Sequence, residues 1–271
     1  TSVHTFRDSF NTGCGLIDTL PYIEDFDQWP GGTSSLRNPM PPCRSASAES
    51  YVERLSNTHN CYRINEYGNL RMAAPPAIDT TRYPMNGLVV SFRARTGSGT
   101  TPVVVGTCSD PTDAATFIPI DTVELTSTFS FHLVYLDNCP LGGNHVAFIG
   151  SDFRIDSLCI DVIPSCALPT GLVADSTTAT SADIDWVSHS PAMAAELEYG
   201  IAGFTPGTGA RTIATTKPFT LTGLLSGDYY ECYVRDICGA GDTSGWSLSP
   251  VTFATQHQPQ TPQSVPFCND F

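Results

Sequence analysis

The chain has 271 residues, with 13 basic and 27 acidic side chains and a formal net charge of −14. So acidic a surface repels phosphate backbones and argues against a nucleic-acid partner. No run of about 18 apolar residues is present, so no helical membrane insertion is expected, and the length suits about two domains with cores of their own.

Taken in chain order, residues 1–18 contain SVHTF (2–6), which has a near copy in SPVTF (249–253). LPYIEDFDQW (20–29) reads as a short strand and turn, and its first seven residues are echoed by VPFCNDF (265–271) at nearly the same spacing. Two echoes at one offset suggest a long internal period. On that reading the chain opens with the last strand of one module and closes with the first strand of another. A polar stretch between Cys43 and Cys61 follows, short enough for a disulfide to staple. Trp29, Tyr51, Tyr62 and Tyr67 cluster here. They could stack on sugar rings if exposed, but burial is the expected fate of most aromatics.

From residue 87 the pattern becomes regular. GLVVSFRAR (87–95), PVVVGTC (102–108), TFSFHLVYL (128–136), HVAFIG (145–150) and FRIDSLCIDVI (153–163) alternate apolar and polar residues between Gly, Pro, Asn and Asp. This is the signature of antiparallel sheets with one buried face. The acidic stretch CSDPTDAAT (108–116) reads as a turn, with a binding or metal loop as its alternative. After DVIPSCALPTGL come SADIDWV (181–187), AELEYG (195–200), KPFTLTGL (217–224), DYYECYVRDI (228–237) and SPVTFAT (249–255). About seven short strands in about 90 residues fit a β-sandwich. Trp186 is placed in its core, and Tyr230 at the start of the penultimate strand is placed to bond back to the preceding loop, as in a tyrosine corner.

The chain carries ten cysteines and no CxxC pair, which points to an oxidising compartment and away from zinc. Cys108 and Cys159 lie in apolar strands and suit buried thiols. No GxSxG, HExxH, phosphate-binding loop or dinucleotide fingerprint occurs. The six histidines are scattered; His132 and His145 fall in predicted strands and read as structural. Asp183 and Asp185 share a strand face opposite Ile184 and Trp186 and are expected to face outward. No catalytic residue and no enzyme activity are expected.

Residues 165–256, from CALPTGL through SADIDW, LEYG, LTGL and YYECYVRDICGAGDTSGWS to TFAT, resemble a fibronectin type III domain of the kind found in Bacteroidetes surface proteins. Residues 19–164, with LPYIEDFDQW, VVVGTCSDPTDAATFIPIDTVEL and FRIDSLCIDV, resemble the MAM-like, cleaved-adhesin jelly rolls of the same proteins. The resemblance implies an all-β chain, a jelly-roll β-sandwich followed by a fibronectin sandwich. Residues 1–18 would then end a preceding fibronectin-like module, and 257–271 would hold a linker and the first strand of a following jelly roll. It implies proximity of Cys166 and Cys238, at one end of the fibronectin sandwich, with Cys232 competing for Cys238. In many relatives it also implies a structural calcium at the jelly-roll edge. Calcium takes about six to eight oxygens, and Glu24 or Asp25 on the first strand with Asp156 on the last could supply the charged ones. Here Ile155-Asp156-Ser157 replaces a pattern with two adjacent acids, which weakens that site. The carboxylates could equally serve only to blunt strand pairing at an edge.

The expected function is a non-catalytic repeat segment of a large secreted or cell-surface bacterial protein, acting in adhesion or as an extended stalk, with type IX secretion implied by the resemblance. Its partners would be an extracellular protein or glycan and neighbouring modules of the same chain. The alternative is a carbohydrate-binding module appended to a secreted enzyme.

Overall fold

The computed structural model describes residues 15–32, 45–46, 50–56, 59–64, 71–140 and 142–258. Both terminal echoes, SVHTF and VPFCNDF, lie outside the described residues, as do Cys43 and Tyr67. The chain divides into two compact units after Ile163.

The first unit contains β1 (Tyr22–Glu24), β2 (Ser45–Ala46), β3 (Ser50–Arg54), β4 (Asn60–Ile64), β5 (Arg71–Ala74), β6 (Leu88–Thr96), β7 (Thr101–Cys108), β8 (Ile118–Leu125), β9 (Ser130–Tyr135), β10 (His145–Gly150) and β11 (Phe153–Val162). They form two antiparallel sheets, β3-β4-β11-β6-β9 with β1 added to β11, and β2-β5-β10-β7-β8. This is a jelly-roll sandwich. The only helical pieces among its described residues are two single 3-10 turns, Met85–Gly87 and Ala114–Thr116.

Alternation builds the core. Leu88, Val90, Phe92 and Ala94 of β6 point inward, and Val146 and Phe148 of β10 meet them from the other sheet. Phe92 and Phe148 pack edge to face with centroids 5.1 Å apart, a favoured aromatic geometry. Opposite the bulge in β8, Gly106 lets strands approach closely: a Cβ there would lie 2.2 Å from the Ile118 carbonyl oxygen.

In β11 the alternation changes phase. Phe153 and Ile155 are buried, then Leu158 and Ile160. The register against β6 shifts between Ile155 and Leu158, a β-bulge that accommodates the extra residue. Without it, Cys159 and Asp161 would turn to the core.

The second unit contains β12 (Thr170–Thr177), β13 (Ser181–Val187), β14 (Ala194–Ile201), β15 (Ala210–Ala214), β16 (Phe219–Thr222), β17 (Tyr229–Gly239), β18 (Asp242–Thr243) and β19 (Val251–Ala254), with no helix among its described residues. Sheet β12-β13-β16 faces sheet β15-β14-β17, whose β17 also pairs with β18 and β19. This is the fibronectin type III arrangement. Trp186 is buried with Ile184, Leu197, Val234 and Phe253, and its indole Nε1–H donates to Asp236 Oδ1 at 3.2 Å across the sandwich. On the outer face Trp246 lies against Arg235 and Arg211, whose guanidinium carbons are 4.7 and 5.5 Å from its ring centre.

Cys166 and Cys238 form a disulfide with Cα atoms 5.7 Å apart. Cys232 is a free, buried thiol and does not compete for Cys238. Cys108 and Cys159 are free as well. The sequence allowed a Cys43–Cys61 staple; Cys43 lies outside the described residues, and Cys61 carries no disulfide. Cys61 is a free thiol on β4, wholly covered, with Sγ 3.9 Å from Glu53 Oε2 on the neighbouring strand. Burial, with Glu53 adding to it, pushes that thiol up to about 12, so it stays protonated and inert.

The tyrosine corner is present. The Leu225 N–H donates to Tyr230 Oη at 2.8 Å. Tyr230→Phe leaves that N–H without its acceptor and should cost about 1 kcal/mol, read as a lower denaturation midpoint at unchanged slope.

Candidate functional site

The acidic edge begins at β1, which pairs with the second half of β11: Glu24 lies opposite Leu158 and Ile23 opposite Cys159. Glu24 turns inward and is buried. Its Oε1 accepts from the Phe26 N–H at 3.0 Å and from the Trp29 indole N–H at 3.2 Å. Phe26 itself adopts a left-handed backbone, φ 61°, and is buried. Glu24 thus ties the turn after β1 to the core.

Asp25 points the other way and is exposed, with Oδ1 accepting from the Asp27 N–H at 3.1 Å. Asp27 accepts from the Asn60 N–H at 2.7 Å and stands 3.3 Å from His59 Nδ1. Asp156 sits in the β11 bulge. Burial raises its carboxyl above the usual range, Asp27 and Asp25 add to the rise, and Arg93 and His59 oppose it. The structure therefore brings Asp25 and Asp27 within electrostatic reach of Asp156, while Glu24 is engaged inside. Among the described residues no three His, Cys, Asp or Glu side chains gather closely enough to hold a metal ion.

A second constellation escaped the sequence reading. Glu53 on β3 holds Arg63 of β4 at 2.6 Å and Arg154 of β11 at 2.5 Å. Arg63 also reaches Asp152 at 3.2 Å, and its guanidinium lies 5.9 Å from the centre of the Tyr51 ring. All four charged side chains are largely covered, Arg154 and Asp152 at 8% exposure. Burial would raise the Glu53 carboxyl, but hydrogen bonds and charge from Arg154 and Arg63 outweigh it and hold Glu53 below the ordinary range. The pairings join residues up to 101 apart in sequence. The network crosslinks three strands on one face of the sheet.

Among the described residues the aromatics form no sugar platform: Tyr51 and Tyr62 are buried and Trp29 packs against the core. The 108–116 stretch is a turn. Asp110 Oδ1 accepts from the Thr112 N–H and hydroxyl, which lower its carboxyl, and Asp113 caps the Ala114–Thr116 turn through the Ala115 N–H. Asp183 faces outward and accepts from the Ser176 and Thr220 hydroxyls, both at 2.6 Å. His132 is half-buried beside Phe92, and burial lowers it. His145 Nδ1 lies 3.1 Å from the Pro75 carbonyl oxygen.

An open cleft lies in the first unit. It has a volume of about 450 Å³ and is lined by Thr80, Ser109, Asn144 and the backbone of Gly142 and Gly143, with Pro84 and Met85 on one side. Asn144 Oδ1 is buried there with no hydrogen-bond partner. The sequence held no signal for it, because its polar groups come from three separate loops.

No protein-family model matches the chain, and no curated protein matches it in sequence. Solved structures do. The K1 cleaved adhesin domain of Lys-gingipain from Porphyromonas gingivalis is 16% identical, over 54% of this chain and 100% of that one, with a TM-score of 0.40. The FN5 domain of Drosophila Lar is 16% identical, over 34% of this chain and 99% of that one, with a TM-score of 0.29. The fn3 domain of human collagen alpha-1(XX) chain is 17% identical, over 35% and 89%, with a TM-score of 0.29.

The two carboxylates respond to pH with opposite sign. Asp156 has a raised folded value, so its contribution is full below the ordinary 3.8 and is lost as pH rises through the folded value. Asp156→Asn should therefore raise the thermal midpoint at pH 7 and change little at pH 3. Glu53 has a lowered folded value, so its contribution is present above the ordinary 4.5 and is lost as pH falls through the folded value. Arg154→Met should cost about 2 kcal/mol at pH 7, where it leaves the Glu53 carboxylate with Arg63 alone, and clearly less in acid. Denaturant titrations at both pH values check the pair.

Proposed function

We propose that the chain is a non-catalytic segment of a larger bacterial surface or secreted protein, serving adhesion or acting as a stalk. The observation that carries this reading is the pair of β-sandwich units in series, each closed around a complete apolar core of its own. Such units extend a chain and present loops without needing an active site. The acidic composition and the Cys166–Cys238 disulfide suit an extracellular setting. The finer reading, a MAM-like adhesin module of a Bacteroidetes protein exported by type IX secretion, rests on the sequence resemblance.

Calcium belongs to the same proposal. Asp25 and Asp156, with strand carbonyls, offer the hard oxygens the ion prefers. A wild-type midpoint that rises with calcium, and an Asp156→Asn midpoint that does not, supports it. An unmoved wild-type midpoint ends it.

The carbohydrate-binding alternative is favoured by one observation, the polar cleft lined by Thr80, Ser109 and Asn144. Immobilised on a glycan array, the segment is expected to bind nothing saturably, while beads coated with it adhere to an extracellular protein surface. Saturable binding of one glycan class, lost in Asn144→Ala, together with no adhesion of the coated beads, would replace the adhesion reading with the accessory-module reading.

A further inference from the structure

Beyond that reading, the second unit holds a cavity of about 130 Å³ where β13 ends, with Trp186, Met193, Lys217 and Asp236 in its wall. The room comes from small side chains: Ala192, Ala194, Ala195 and Ala214 also line it. Asp236 exposes no surface, and Oδ1 takes the Trp186 indole N–H. Its Oδ2 is buried and has no hydrogen-bond partner. A buried carboxylate oxygen without a donor is costly, and the cavity is the place from which a donor can come.

Lys217 is the sole lysine of the chain. Its Nζ donates to the Trp186 carbonyl oxygen at 3.2 Å and to Ser188 Oγ at 3.0 Å, and it stands 5.3 Å from the centre of the Trp186 ring. An ammonium has a third N–H, which these contacts leave over. Trp186 thus joins a negative acceptor on the floor to a positive donor on the rim.

We propose that this cavity binds a small zwitterion of the α-amino acid class, its ammonium on Asp236 Oδ2 and its carboxylate on Lys217 Nζ. An amine alone would meet the charge of Lys217, and a carboxylate alone would meet that of Asp236; a ligand carrying both ends satisfies each without the repulsion. The volume of about 130 Å³ gives room for glycine or alanine. Met193 on the rim is exposed, unbranched and flexible and can give way to a ligand.

The test titrates the 271-residue chain with glycine and with L-alanine while following the indole N–H resonance of Trp186 by NMR. Trp29→Phe and Trp246→Phe assign that signal among the three tryptophans. A saturable shift with both amino acids is expected, with methylamine and acetate at least about tenfold weaker. Lys217→Met should remove most of the affinity, and Ala192→Phe should fill the cavity and abolish the shift. Both changes lie at the exposed rim, so the fold survives them and the buried Asp236 need not be altered. Absence of a saturable shift, equal responses to methylamine or acetate, or shifts that persist in both variants would overturn the proposal and leave the cavity to water.

Discussion

One extra residue in β11 governs the first unit. Ahead of it, Phe153 and Ile155 face the core, and β4 occupies one edge of the strand. Past it, Leu158 and Ile160 face the core, and β1 takes over that same edge. The strand thereby serves three partners, β4 and β1 on one side and β6 on the other, while keeping Phe153, Ile155, Leu158 and Ile160 in the core. The same bulge lodges Asp156 in a half-covered position near Asp25 and Asp27, so the acidic edge is a by-product of how the sheet resolves its phase. The bulge is thus both a folding device and the origin of local electrostatic tension.

The second unit solves a different problem. A fibronectin sandwich has few strands, and its two sheets must be held in register with a thin core. Two hydrogen bonds and a disulfide supplement the apolar packing. The Trp186 indole reaches Asp236 from the facing sheet, Tyr230 fastens the loop before β17, and the Cys166–Cys238 bond secures the segment before β12 to the end of β17. Among the described residues of this unit only Asp236 is left with a buried side-chain polar atom unsatisfied, and the cavity beside it follows from alanines where larger residues would have closed the space.

Much of this was legible in the sequence because one buried face forces a period of two. HVAFIG and SADIDWV match β10 and β13 end to end, and GLVVSFRAR and PVVVGTC match β6 and β7 within one residue. Trp186, Tyr230 and the Cys166–Cys238 pair were readable because the order of elements fixed where each falls in a fibronectin sandwich. Three features were not. Glu24 stood as a candidate calcium ligand or edge carboxylate, but the left-handed turn at Phe26 folds the following Trp29 back onto it. The Glu53–Arg63–Arg154–Asp152 network depends on which strands become neighbours, which local pattern does not encode. Cys61 sits in a five-residue strand with buried residues on both faces, so alternation gives no hint that its thiol is sealed beside Glu53.

The position of the disulfide has a mechanical meaning for a chain in series. Its sulfurs join residues 72 apart. Tension entering at Pro164 meets Cys166 after two residues and passes directly to Cys238. Everything between, including β13, β14 and most of β17, is bypassed by the load and cannot be drawn out as extended chain. Only the stretch beyond Cys238, with β18 and β19, is left to lengthen under a pull. A module wired in this way yields a short, bounded extension and keeps its core contacts within reach for refolding once the tension falls.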